Sequence, residues 1–418
     1  MCHSKLLIIG FVWPEPNSSA AGGRMMQIID LFLKKKFEVI YASPAKFSEN
    51  AENLEDLGIT QKQIQVNDSS FDEFLIEEQP THVLFDRFMM EEQFGWRIAE
   101  QCPEAMRILD TEDLHFLRKA RQQAYKDKKT FKKKYLYTDI AKREIASILR
   151  CDLSLIISKS EMDLLVNEFK VQKSLLLYLP FLLKPLKTND VENLPNFDAR
   201  QHFISIGNFL HAPNWDKTLF LKEEIWPLIK KELPEAELHV YGAYTSQKVE
   251  QLHSAKQGFL IKGRAPNAID AIKQAKVLLG PLRFGAGLKG KFIDAMQAGT
   301  PSITTTVGAE GLCGDFPWCG EIANSAEEIA KQAILLYKMP KRWKIAQRNG
   351  FNIINKRFQR KVFAANFFKR LKKLEQDLNL HRQQNFTGQV LMHHTTQSTK
   401  YMSLWIESKN KNTSKESI

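Results

Sequence analysis

One pattern constrains this chain more than any other: a short apolar run bounded by glycine or proline, then a helical stretch, then another such run. Lys5 to Gly10, Glu38 to Ala42, Thr81 to Asp86, Met106 to Asp110, Leu153 to Ser158 and Ser174 to Pro180 are runs of this kind. Strands that are apolar without alternation are buried on both faces, and the intervening helices supply the cover, so the pattern predicts a parallel sheet. It stops at a polar, proline-containing stretch from Lys184 to about Arg200 and restarts with runs beginning at His202, Glu237, Phe259, Lys276 and Pro301. A length of 418 residues exceeds one ordinary core. The restart therefore predicts an α/β protein of two Rossmann-like, doubly wound parallel-sheet domains facing across a cleft.

The expected division is 1–183 for the first domain, 184–200 for a linker, 201–350 for the second domain and 351–378 for a C-terminal helix packing across both. Residues 379–418, rich in Ser, Thr, Asn and Lys, read as a polar disordered tail. His393 and His394 in that tail are expected to be solvated, because no cluster of ligand residues accompanies them. The run Leu6 to Trp13 lacks a cleavage site and is shorter than the roughly 20 residues of a membrane span, so a cytoplasmic protein is expected. Five scattered cysteines without a CxxC pair point to neither a disulfide framework nor a zinc site. The net charge of +12 favours anionic partners without choosing among nucleotides, lipid headgroups and nucleic acid.

In sheets of this kind ligands collect beyond the carboxyl ends of the strands. There the sequence PLRFGAGLKGKFIDAMQAGTPSITTTVGAEGL, Pro281 to Leu312, places a strand end, a glycine turn and an amphipathic helix in succession. Gly285, Gly287 and Gly290 let backbone amides approach a ligand, and a helix N-terminus offers unpaired N–H groups to an anion. Lys289 and Lys291 fall in the first turn, where the helix dipole disfavours cations. A bound polyanion such as a diphosphate resolves that conflict.

FGAGLKGKFIDAMQAGTPSITTTVGAEGL, with GNFLHAPNWDKTLFLKEEIWPLI (Gly207 to Ile229) and LDTEDLHFLRKAR (Leu109 to Arg121), resembles the retaining glycosyltransferase family 4 (group 1) and its relatives, in the branch with a GAGxKGK loop. The resemblance implies the GT-B architecture and transfer of a sugar from a nucleotide-diphosphate donor, with retention, in cell-surface polysaccharide synthesis. It places the donor on the second domain and a glycan or lipid-linked acceptor on the first. The ribose-binding carboxylate falls on Asp294, where the family usually has glutamate. The acid eight positions earlier, near the donor sugar, is Ala286 in this chain. The usual phosphate-binding Arg and Lys are replaced by Asn208 and Asn214. Cationic work then passes to Lys289 and Lys291, with Arg264 and Arg283 as helpers. Gly207, His211 and Asn214 belong to the turn before a helix, with Asn214 expected as its N-cap, and Glu310 and Gly311, at a strand's carboxyl end, are read either as contacts to the donor base or ribose or as a structural turn.

On the first domain, Gly22 and Gly23 follow the first strand and are expected to bring backbone amides to phosphate or acceptor. Asp110, Glu112, Asp113 and His115 stand at the end of the MRILD strand, and Asp110, Asp113 and His115 are the expected catalytic set; helix capping by Asp113 and packing of His115 are equally open. No DxD pair is present, so no essential metal and no other cofactor are expected. The stretch Arg118 to Arg143 carries eleven Lys or Arg against two Asp. A solvated surface or peripheral contact with an anionic membrane fits it; nucleic-acid binding does not, since no recognised module accompanies it. A non-hydrolysing nucleotide-sugar epimerase and a non-catalytic nucleotide-sugar-binding or scaffold protein share the architecture and stay open as alternatives.

Overall fold

The computed structural model describes residues 4–415. The first sheet contains β1 (Lys5–Ile9), β2 (Glu38–Ser43), β3 (Thr60–Gln63), β4 (His82–Asp86), β5 (Met106–Asp110), β6 (Leu153–Ile156) and β7 (Leu176–Tyr178), in the order β3-β2-β1-β4-β5-β6-β7. The second contains β8 (Gln201–Ile206), β9 (Leu238–Tyr241), β10 (Phe259–Gly263), β11 (Ala275–Gly280), β12 (Ser302–Thr304) and β13 (Gly320–Ile322), in the order β10-β9-β8-β11-β12-β13. Neighbouring strands pair in parallel in both sheets. Strand order reverses between β1 and β4 and between β8 and β11, and a doubly wound sheet opens its ligand crevice at that switch point.

Apolar composition explains the strands that the sequence predicts: all five residues of β4 and the last four of β1 are buried. β3 (TQKQ) and β13 (GEI) carry no such signal, because they are short edge strands with little buried surface. The helices Ala326–Lys338 and Pro340–Arg357 pack with the second sheet, and Trp343 is sealed in its core. The next helix, Arg360–Gln376, returns to the first domain, where Phe367, Leu371 and Leu374 join Leu6, Ile8 and Phe32. Residues 351–378 are thus two helices separated at Phe358. The two crossings between domains are bonded side by side, Leu183 N–H donating to the Phe358 carbonyl at 2.8 Å and Arg360 N–H to that of Leu183 at 2.9 Å.

The expected disorder of the tail is overturned. Helices Leu378–Gln384 and Phe386–Lys415 fold back on the first domain. Arg382 grips buried Asp152 at 2.8 and 2.9 Å and also donates to the carbonyls of Pro103 and Ala105. Asn385 donates to the Leu149 carbonyl at 2.7 Å, and Lys400 pairs with Glu100. Polar composition misleads here because the docking is made by hydrogen bonds and ion pairs rather than by an apolar stripe. His393 is exposed; the side chain of His394 and residues 416–418 lie outside the described residues. Among the described residues no helix is long and apolar enough to cross a membrane.

Candidate active site

The glycine loop after β11 enters the helix Gly290–Gln297, with Lys289 at the N-cap position. This helix start faces that of the helix Ala20–Lys34 across the cleft: a Cβ on Gly290 would lie 2.5 Å from the Ala20 Cβ. Gly287 combines a left-handed φ of 61° with an approach of 2.7 Å to the Asp113 Cβ, so a side chain is excluded twice. Ala286 joins the apolar cluster of the first domain. A carboxylate at that position would meet this apolar surface.

The cations of this loop behave differently from one another. Lys291 donates to the Asn214 side-chain oxygen and contacts Lys217, which is 1% exposed and donates to the Ile206 carbonyl at 3.1 Å. Burial and then Lys289 push Lys291 down to about 7, against Asp294 and Lys217, while burial and then Lys291 push Lys217 well below the ordinary lysine value. Asp294 on the same helix is raised to about 7 by burial, against the pull of Lys291. Lys289 donates to the Gly287 carbonyl at 2.9 Å and is lowered to about 8, chiefly by burial, with Glu310 opposing and Arg121 adding to the shift. Buried Lys217 and half-buried Lys291 bring two lysine amines together with Asp294 as nearby carboxyl, a site that an anion would let carry its full positive charge. Lys217 escapes sequence reasoning because a single lysine in an amphipathic helix reads as solvated. It stands three residues beyond Asn214 on the helix Ala212–Phe220, about one turn further along.

Asn214 itself is not an N-cap. His211 holds that position, and the Asn214 side chain turns back to the Asn208 carbonyl at 2.9 Å, closing the turn after Gly207. Arg283 is committed to Asp216 through two bonds of 2.9 and 2.8 Å and stacks on Tyr125 and Phe220, so it is not a free phosphate ligand. Arg264 is exposed at the cleft mouth and reaches Ser18 at 3.2 Å. Glu310 receives both terminal nitrogens of Arg121, at 2.7 and 2.8 Å, and Arg121 also donates to the Gly285 carbonyl at 2.8 Å. The Gly311 carbonyl accepts from Arg357.

On the first domain the structure reassigns several residues. The amides of Gly22 and Gly23 are consumed by the cap of their own helix, donating to the side chain and carbonyl of Ser19, because the helix begins at Ala20 rather than after the glycines. Asp110 is 0% exposed and held bidentately by Arg24, at 3.1 and 2.8 Å. It braces the sheet and is removed from the catalytic set. Asp113 does not cap the helix His115–Lys126: buried Glu144 does, accepting the amides of His115 and Phe116 at 3.1 and 2.9 Å. Burial opposes ionisation of Asp113, but Arg118 and then His115 hold it down to about 2. His115, 3.5 Å from Asp113, is pushed by burial to about 3, and His211 across the cleft is pushed by burial and Arg118 to about 4. His211 is exposed to solvent, which screens that shift. Glu112, at a φ of 60°, has one buried carboxyl oxygen without a partner, and burial with Asp110 and Asp86 raises it well above the carboxylate range.

Glu161 is a further residue missed in the sequence. Fully buried, it accepts the amides of Leu114 at 3.1 Å and of Gly287 at 2.8 Å, joining the acceptor-side loop to the glycine loop. Burial and Asp113 raise it to about 7. The basic stretch divides: Arg118 and Arg121 turn into the cleft, Phe131 and Tyr135 pack on the core, and Lys126, Lys128, Lys129, Lys132 and Lys134 are exposed.

Residues 200–339 match the family model of the glycosyl transferases group 1. An uncharacterized 44.6 kDa protein in the cps region of Klebsiella pneumoniae is 26% identical over 254 residues, 57% of this chain and 62% of that protein, so the match spans less than two thirds of its length. Among solved structures, sucrose-phosphate synthase from Thermosynechococcus elongatus superimposes with a TM-score of 0.64 at 14% identity, over 89% of this chain and 99% of that one. Anabaena HepE in complex with UDP-glucose gives a TM-score of 0.63 at 13% identity, over 89% and 100%. At such identities the superpositions establish the two-domain GT-B fold.

Proposed function

We propose, from the premise that residues 200–339 are a domain of the glycosyl transferases group 1, that this chain moves a sugar from a nucleotide-diphosphate sugar to a glycan or lipid-linked acceptor. The observation that carries the reading is the pair of apposed lysine amines, buried Lys217 and half-buried Lys291, beside the N-terminus of the helix Gly290–Gln297. Charges of one sign are brought together and desolvated only at a cost, and a diphosphate removes it. Lys289 and the helix amides then stabilise the negative charge that develops on the leaving diphosphate, without calling on a metal. Asp294 serves the ribose. Ionised Asp113 and neutral His115 and His211 offer acceptors to hydroxyl groups from both cleft walls. Retention of configuration and a role in cell-surface polysaccharide synthesis belong to the same proposal, the latter supported by the cps-region relative.

The test is calorimetric titration with a panel of nucleotide sugars beginning with UDP-glucose, followed by product analysis with candidate acceptors. Saturable binding that is lost in Lys217→Met and Lys291→Met supports the reading. A chain indifferent to every nucleotide diphosphate is not a transferase of this kind.

A further inference from the structure

Away from the cleft, at the opposite ends of β8 and β9, three side chains stand together that the transfer reaction does not use. The register pairs Phe203 with Leu238, which sets His202 opposite Glu237; Glu237 and His239 are two apart along the chain and so share a sheet face. The ligand atoms of His202, Glu237 and His239 all lie within 4.8 Å of one another. One carboxylate oxygen of Glu237 is 2.7 Å from His239 Nε2 and 3.8 Å from His202 Nε2, and the two rings are 5.2 Å apart. All three residues are half-buried, so an ion can reach them from solvent.

We propose that His202, Glu237 and His239 bind one divalent transition-metal ion of the Zn2+ class. Two imidazoles and a carboxylate suit borderline ions such as Zn2+ rather than Ca2+ or Mg2+. Ligand atoms about 2.1 Å from a tetrahedral ion lie about 3.4 Å from one another, and the two separations from Glu237 bracket that value. The fourth position faces solvent. His202 takes a left-handed φ of 58°, a conformation in which histidine is over-represented, and this turns the ring at the head of β8. Coordination through His202 Nε2 shifts the ring proton to Nδ1 and gives up the long 3.3 Å bond that Nδ1 accepts from the Glu237 amide. Lys230 and Lys262 are the neighbouring positive charges that oppose the ion; Lys230 is occupied at the Ala236 carbonyl. An ion held there clamps the start of β8 to β9 and stabilises the second domain without touching the transfer site.

The experiment is calorimetric titration of Zn2+ into the untagged full chain, with thermal unfolding at matched Zn2+ concentrations. The expected result is one ion per chain and a raised melting temperature, both lost in His202→Ala and in His239→Ala and weakened in Glu237→Gln. Melting of each variant without Zn2+ should match that of the parent, which separates ion loss from misfolding. Stoichiometric binding unchanged in His202→Ala and His239→Ala, or no binding to the parent chain, overturns the proposal. Nucleotide-sugar binding is read independently in the same samples, so failure of this site leaves the transferase reading standing.

Discussion

Lys291 turns the unusual feature of the cleft into a measurable quantity. Charge-assisted hydrogen bonds are worth about 1.5–3 kcal/mol each, so Lys291→Met and Lys217→Met should each weaken nucleotide-sugar binding by roughly 10- to 100-fold at pH 7 by calorimetry. A pH dependence accompanies this. Free Lys291 titrates near 7, and a bound diphosphate favours its protonated form, so binding takes up a proton above that pH and none below. Affinity for an intact nucleotide sugar should be flat below about pH 7 and fall as pH rises, by up to about tenfold per unit; Lys291→Met should flatten the slope. The place of Lys289 and Lys291 at a glycine turn opening a helix was legible in the glycine spacing after an apolar strand. Lys217, Arg121 and Glu161 were not, because each gains its meaning from a partner more than 70 residues away or on a neighbouring helix. Asp110 was misread for the same reason: Arg24, which holds it, is remote in sequence. His115 also gives a signed expectation. It is pushed below the ordinary 6.5 to about 3, so the unfolded chain binds more protons between those values. Its contribution is fully present above 6.5 and is lost as pH falls toward about 3, and His115→Asn should shallow the acid limb of a melting-temperature profile.

Elements were legible in proportion to the apolar surface they bury. The strands facing helices on both sides announce themselves, whereas β3 and β13, at sheet edges, do not. The tail fails in the other direction: composition argues for disorder, but Arg382 finds a carboxylate that is 2% exposed and already draws on Arg107. Removing one partner of such a pair leaves buried charge unsatisfied. Arg382→Ala should therefore lower stability by about 1.5–3 kcal/mol, seen as a fall of several degrees in melting temperature, and truncation after Asp377 should cost at least as much. A tail that is disordered would cost nothing. The glycine loop gives the matching expectation within the site. Gly287→Ala places a Cβ in a left-handed backbone and against Asp113, and the strain of about 1–3 kcal/mol must displace the loop from the first domain. Turnover should fall more than tenfold while nucleotide-sugar affinity, resting on Lys217 and Lys291, changes by less.

The two domains meet through contacts that gather on the glycine loop and on Glu310 beside it. Arg121 and Glu161 of the first domain hold Gly285, Gly287 and Glu310 of the second, while Tyr244–Glu15 and Arg264–Ser18 close the mouth. The glycine loop proposed to hold the donor also bonds to the first domain, so donor binding and domain closure are expected to be coupled. Closed, the cleft excludes water and spares the donor from hydrolysis; opened, it admits both. Arg121→Ala removes one bond to the glycine loop and two to Glu310 without touching Lys217 or Lys291. Small-angle scattering should show a larger radius of gyration in the variant, with nucleotide-sugar affinity within a few-fold of the parent. Transfer should drop at least tenfold, and donor hydrolysis should rise as a share of turnover. Glu310→Ala should give the same phenotype, and the double variant should lose little more than either single one, since both remove one interaction. Additive losses, or scattering indistinguishable from the parent, would mean that Arg121 braces its own helix and that closure is held elsewhere.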